Sequence, residues 1–218
     1  MAAEELGPLP AGRHGLSREQ VAHSQRERLI AAFAEMVVEH GYHATTITHI
    51  TAAASVSRRA FYQQFPDKEA AFVAAFDVVV EHLQTLIVTA TEPIPDWPHR
   101  VIAAFRTLLE FLAAEPALAR LCLVESLSAG PVVAEKFQAT VDGFAPLLEP
   151  GRSERRSERP LPPGTETSLI GAIASTISRS IIAGKTTELP ELLPDFAEFA
   201  LTPYLGAEQA QRLAATAA

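Results

Sequence analysis

Ser57, Arg58, Arg59 and Tyr62 lie close together in the chain, with Thr45 and Thr46 a little upstream. Guanidinium groups can donate paired hydrogen bonds to guanine, and hydroxyl and phenol groups can reach phosphate oxygens. Such a set acts as a unit only when a rigid element presents it on one face. The flanking residues supply that element. Ile47, Ile50, Ala53 and Ala54 keep helical spacing after the Thr45-Thr46 cap, and Ser55-Val56 interrupts them. Ser57 can cap a second short helix from Arg58 to about Gln63, which Pro66-Asp67 ends.

Two short helices joined by a tight turn form a helix-turn-helix unit, whose second helix fits the major groove. Ile47, Ile50, Val56 and Phe61 would make the small core that fixes the crossing angle. Phe33 and Val37 of a preceding helix would lie beneath it. Both Ser17–Gln20 and Ser24–Glu27 fit a capping box, so that helix starts at one of these serines, and His40-Gly41 stops it.

This stretch resembles the N-terminal domain of TetR-family transcriptional regulators. The likeness runs from Arg26, Leu29 and Ile30 through Phe33, Glu39, Gly41, Tyr42, Thr45, Thr46, Ile47 and Ile50 to Ala54, Val56, Ser57, Phe61, Tyr62, Phe65, Asp67, Lys68 and Glu69. The resemblance implies that Thr46 caps the second helix on a phosphate and that Ser57, Arg58 and Arg59 belong to the recognition helix. It also implies that Tyr62 contacts phosphate and that Lys68, at the start of the fourth helix, is a DNA-binding residue. Thr45 stays open between a DNA contact and a plain loop residue. Two departures stand out: Ser55 where the family usually has Gly, and Thr51 where it usually has Ala. A serine is less comfortable than glycine at positive φ, so the turn is expected to be slightly altered.

The remaining chain reads as helices at about 68–90, 98–114, 116–128, 131–148, 165–184, 189–203 and 206–216. A mobile loop is expected over 150–164, which holds four arginines and four prolines and so lacks an apolar face. The expected fold is all-α: an N-terminal three-helix head at 17–68, a C-terminal helical domain at 69–218, and a disordered leader at 1–16. The C-terminal half resembles the family only in layout, which implies ligand binding and dimerisation through its last two helices.

Candidate pocket residues are Trp97, Phe105, Leu109, Leu121, Phe137, Val141 and Phe144, with Arg106, Cys122 and Glu125 as polar groups able to orient a ligand. They suit an apolar or aromatic small-molecule effector. Ile170, Ile173, Ile177 and Ile181 form one stripe, and Leu192, Phe196 and Phe199 another; together they would pack against a twofold mate as a four-helix bundle.

Catalytic signatures point elsewhere. Ala183–Thr186 has a Gly-Lys-Thr run but follows a helix, whose C-terminus is the wrong dipole end for phosphate, so Gly184 reads as a C-cap. His40 and His43 have no Cys or carboxylate at metal spacing. No metal, cofactor or enzymatic activity is expected. A single cysteine and no apolar leader fit a cytoplasmic protein without a membrane span.

Charge gives the one objection. The chain holds 18 basic and 26 acidic residues, a net of −8, which would repel nucleic acid if spread evenly. It is not spread evenly. Residues 13–68 carry seven basic and five acidic residues, whereas 69–218 carry eleven and nineteen. The reading is therefore a homodimeric, ligand-responsive regulator, a repressor on a near-palindromic double-stranded operator. The competing reading is a helical carrier or interaction module without operator binding.

Overall fold

The computed structural model describes residues 18–155 and 159–216, so the expected leader at 1–16 lies outside it, as does Ser17. The described residues are helical, without strands. The head comprises α1 (Arg18–His40), α2 (Ile47–Ala53) and α3 (Arg58–Gln64). Next come α4 (Lys68–Thr91), α5 (Trp97–Ala114), α6 (Pro116–Leu123) and α7 (Pro131–Asp142). The last helices are α8 (Gly151–Glu154), α9 (Thr165–Ile182), α10 (Leu193–Leu205) and α11 (Ala207–Ala215). Ser24 lies inside α1, so the helix begins near the first of the two capping-box serines.

Polar caps set the starts in the head and in α4 and α5. Thr46 accepts from the His49 amide at 3.2 Å, Ser57 from Ala60 at 3.1 Å, Asp67 from Ala70 at 2.8 Å and Asp96 from His99 at 3.1 Å. Each such bond satisfies an amide that the helix itself leaves orphaned, worth about 1 kcal/mol.

Prolines and glycines shape the later breaks. The helix expected over 131–148 ends at Asp142, and Ala145–Leu147, around Pro146, continues as a 3₁₀ turn. The one expected over 116–128 ends at Leu123, with a 3₁₀ turn at Glu125–Leu127. The 3₁₀ segment Thr186–Leu192 contains Pro190, and α10 starts only at Leu193. A proline removes a backbone donor and clashes with the preceding turn, so it displaces the α-helical start. Gly184, at φ +76°, closes α9 as expected of a C-cap, and the Lys185 amide returns to the Ser180 carbonyl at 2.9 Å.

The segment expected to be a mobile loop is partly anchored. Arg152 on α8 grips the buried Glu166 carboxylate through Nε at 2.9 Å and Nη2 at 2.7 Å, and also donates to the Leu161 and Pro162 carbonyls. The Tyr204 hydroxyl donates to the same carboxylate at 2.8 Å, joining α8, α9 and α10. Burial works to raise the Glu166 pKa, but the hydrogen bonds from Arg152 and Tyr204 win and hold it below the ordinary carboxylate value. The bidentate geometry makes the guanidinium a clamp rather than a surface charge.

Apolar residues divide into two cores. One joins the head to the first half of α4 and to α6: Leu29, Phe33, Val37, Ile50, Phe61, Phe72, Phe76, Leu121 and Cys122 belong to it. The other joins α5, α9 and α10 through Phe105, Leu109, Ile173, Ile177, Phe196 and Leu201. Taken alone, α4 is long and apolar enough to cross a bilayer, against the expectation from sequence. Here one side of it is buried inside the protein, as befits a core helix.

The turn between α2 and α3 takes the shape that its serine disfavours. Ser55 has φ +52°, the sole positive φ of a non-glycine among the described residues. The Ser55 amide bonds the Ala52 carbonyl at 3.1 Å and the Val56 amide the Thr51 carbonyl at 3.0 Å, the two bonds of a Schellman closure. The left-handed conformation brings a serine Cβ against its own carbonyl oxygen. Ser55→Gly should therefore stabilise the protein by about 0.5–1 kcal/mol, the relief of strain outweighing the added freedom of the unfolded chain. A higher urea midpoint with an unchanged m-value is the expected readout.

Candidate nucleic-acid interface and apolar slot

Within the head, Ile50 and Phe61 are fully buried and fix α2 against α3, while Ile47 and Val56 are half-buried beside them. This packing leaves the outer face of α3 to Arg58, Arg59 and Tyr62, all exposed. Neither arginine has a protein hydrogen-bond or ion-pair partner among the described residues. Ser57 is the N-cap of α3 and Thr46 the N-cap of α2, and both are exposed. Arg58 and Arg59 stand in the first turn of α3, where the helix dipole and the two guanidinium groups together favour anionic oxygens.

Two other expected contacts are turned inward. Thr45 is buried, its hydroxyl donating to the Met36 and Gly41 carbonyls at 2.9 Å each. It fastens the end of α1 to the turn and offers nothing to an outside partner. Lys68 donates to the Tyr42 carbonyl at 2.7 Å and the Thr45 carbonyl at 3.0 Å, with its ammonium 4.0 Å from the centroid of the Tyr42 ring. Desolvation lowers its pKa, and the two carbonyls and the ring face take up its donors and charge. It braces the α1–α2 turn from the start of α4.

Between the two cores lies a slot lined by α4 (Phe76, Val79, Leu83), α5 (Phe105, Leu112), α7 (Phe137, Val141) and α9 (Ile170, Ile173, Ile177). The slot is open to solvent on one side, holds a cavity of about 100 Å³, and none of its exposed lining is polar.

Of the pocket residues expected from sequence, Phe105, Cys122, Phe137, Val141 and Phe144 line the slot. The others do not. Trp97 packs on Tyr204 and donates its indole N–H to the Leu147 carbonyl at 2.9 Å, at the far end of α5. Leu109 and Leu121 are buried in the two cores. Arg106 lies on an outer groove beside Pro190 and Pro194. Glu125 is a link between domains instead: its Oε2 accepts the Tyr42 amide at 3.0 Å, and its Oε1 pairs with Arg120 at 3.1 Å. The wall from α4 was missed, although Phe72, Phe76, Val79, Val80 and Leu83 had been legible as one apolar pattern.

The expected interface stripe also needs correction. Ile170, Ile173, Ile177 and Ile181, together with Phe196, are buried inside the protomer, and Leu192 packs against the same core. Three of these isoleucines are slot wall. Phe199, 47% exposed, is the one residue of that set that faces out. The outer face of α9 consists of Ser168, Ala172, Ser175, Arg179 and Ile182, spaced by three and four.

Cys122 combines its place in the slot with deep burial, which pushes its pKa up to about 12. The thiolate is the reactive form. Cys122 should therefore resist alkylation by iodoacetamide in the folded protein at pH 8 and react fully once urea unfolds it. Mass spectrometry of the two samples provides the check.

Comparison with known proteins follows the division between head and body. Residues 29–75 match the family described as bacterial regulatory proteins, tetR family. The HTH-type transcriptional activator FasR of Mycolicibacterium smegmatis is 26% identical over 133 residues, which span 61% of each chain. The fatty acid degradation regulator FadR from Bacillus halodurans shares the fold with a TM-score of 0.72, at 19% identity, over 81% of this chain and 94% of that one. FadR from Bacillus subtilis, solved in complex with stearoyl-CoA, gives a TM-score of 0.67 at 19% identity over 83% and 98%. Together with the helix-turn-helix geometry of α2 and α3, the family match makes the head, over residues 29–75, similar to the tetR family of bacterial regulatory proteins.

Proposed function

We propose that the chain is a cytoplasmic, homodimeric repressor that binds a near-palindromic operator and leaves it when a long acyl chain enters the slot. The observation that carries the DNA part is the outward face of α3, where Arg58, Arg59 and Tyr62 stand exposed on a helix capped by Ser57. In this reading Arg58 and Arg59 read base edges, and Tyr62, Thr46 and Ser57 hold phosphates. Two heads in a dimer enter successive major grooves about 34–36 Å apart.

The dimer forms through the outer face of α9, where Ser168, Ala172 and Ser175 allow close approach, flanked by Ile182 and by Phe199 of α10. Such a face meets its own copy across a twofold axis.

The ligand follows from the chemistry of the slot. A wholly apolar lining suits a hydrocarbon chain and offers no partner for a polar ring substituent. The fold shared with a stearoyl-CoA-binding regulator supports the same class. A ligand that fits one head separation better than another shifts the population towards it, and operator affinity changes by the same factor as ligand affinity.

Arg58→Ala combined with Arg59→Ala should weaken binding to an operator selected from random duplexes by at least about 100-fold, since each bidentate base contact is worth ~1–3 kcal/mol. Sedimentation should show an unchanged oligomer; unchanged affinity would remove both residues from the interface. Ala174 lines the slot, half-buried on α9. Ala174→Leu should narrow the slot, abolish stearoyl-CoA binding in calorimetry and remove the response of operator binding to stearoyl-CoA. A helical carrier would bind the acyl chain and shift no DNA.

A further inference from the structure

We propose that Glu125 is the positioning residue through which slot occupancy reaches the head, an inference that rests on the slot being the ligand site. Its carboxylate is buried between the two halves of the protein, 7% exposed. Oε2 accepts the backbone amide of Tyr42 at 3.0 Å, in the turn between α1 and α2. The same oxygen lies close over Gly41, where even a Cβ would come within 3.7 Å of it. From the other side Lys68 holds the Tyr42 and Thr45 carbonyls. The turn is thus gripped at one amide by the body and at two carbonyls by α4. Thr46, the residue after it, caps α2.

The body side of this contact leads directly to the slot. Cys122 and Leu123, the last residues of α6, line it. Glu125 follows two positions later in a 3₁₀ turn that is fastened to α6, because the Ser126 hydroxyl donates to the Cys122 carbonyl at 2.6 Å. Arg120, the ion-pair partner of Glu125, also belongs to α6. A hydrocarbon chain that enters the slot bears on all of its walls, the end of α6 among them. A chain that pushes α6 outward carries Arg120 and Glu125 together, so their ion pair survives and the bond to Tyr42 is the one that breaks. A two-state contact of this kind is what coupling between two sites needs. Its geometry is directional: the carboxylate keeps a charged partner throughout, and the Tyr42 amide is the group left unpaired.

Hydrogen exchange at the Tyr42 amide reads the contact directly. The probes are stearoyl-CoA and, as an occupant without a head group, dodecane at saturation. In the parent protein either probe should speed exchange of this amide by about tenfold or more, and stearoyl-CoA should weaken operator binding by a similar factor, within the usual 5–150-fold range of coupled sites. In Glu125→Ala the amide should exchange fast from the start, respond less than about twofold to either probe, and the operator response should shrink below threefold while stearoyl-CoA affinity stays within about threefold. Glu125→Gln keeps an acceptor oxygen of the same shape and should restore the response, which separates positioning from a general loss of structure. Tyr42 protection unchanged on binding in the parent, or a full operator response in Glu125→Ala, overturns the proposal. If stearoyl-CoA fails to bind the parent, the acyl-thioester reading falls on its own. The dodecane response at Tyr42 then still decides the role of Glu125.

Discussion

Apolar side chains in this protein collect into two cores that meet without fusing, and the slot is the space left along their boundary. Phe76, Val79 and Cys122 form the wall on the side of the head, and Phe105, Val141 and the α9 isoleucines form the wall on the side of the body. Phe111 and Phe137 pack against both. Protein interiors fill their volume almost completely, so an unfilled seam is costly unless something occupies it part of the time. An occupant must push the two cores apart or rotate one against the other. The head belongs to one core and the bulk of α9 and α10 to the other, so any such motion changes where the head stands relative to the body.

Two buried carboxylates brace the elements around the slot. Glu166 ties α8 and α10 to the start of α9, and Glu125 ties the end of α6 to the α1–α2 turn. They are built differently. Glu166 has the bidentate clamp of Arg152 and the Tyr204 hydroxyl, so its charge is fully compensated and releasing it would strand several donors. Glu125, in the 3₁₀ turn that follows α6, holds one partner on that helix and one in the head. The first brace is locked by several bonds, whereas the second meets the head through a single one.

Much of the head was legible in the sequence because its signals are local. Thr46, Ser57 and Asp67 cap helices within three residues of themselves, and Ser55 marks the turn by standing where a left-handed residue is needed. The body was legible as helices but not as partners. Helical spacing shows that Ile170, Ile173, Ile177 and Ile181 share a face; it carries no information on whether that face meets a second copy, its own core or a cavity. The same holds for Phe76, Val79 and Leu83 on α4, whose pattern reads as ordinary core until α5, α7 and α9 are placed opposite. Lys68 and Glu125 were misjudged for a related reason. A charged residue near a functional segment reads as a contact to the outside, while here each uses its charge to hold backbone groups of the α1–α2 turn.

The internal use of charge also revises what the basic head has to offer a polyanion. Residues 13–68 carry a net +2, but several of the cations are already engaged. Arg26 lies over the Phe65 ring at 4.6 Å, Arg28 donates to the Ala54 carbonyl at 3.1 Å, and Lys68 serves the turn. These groups still contribute to the long-range potential, yet each already gives a donor or its charge to the fold. Among the described residues of α2 and α3, Arg58 and Arg59 are the cations left to make new bonds. Counterion release scales with the number of phosphates neutralised, so few available cations mean a shallow dependence on salt and weak binding to arbitrary sequence. Base-edge hydrogen bonds must then supply a larger share of the affinity, and these depend on the spacing and orientation of two α3 helices. A head that relied on diffuse charge would tolerate a shift in its position. In the proposed reading, a head that relies on Arg58 and Arg59 loses its site when the seam behind it moves.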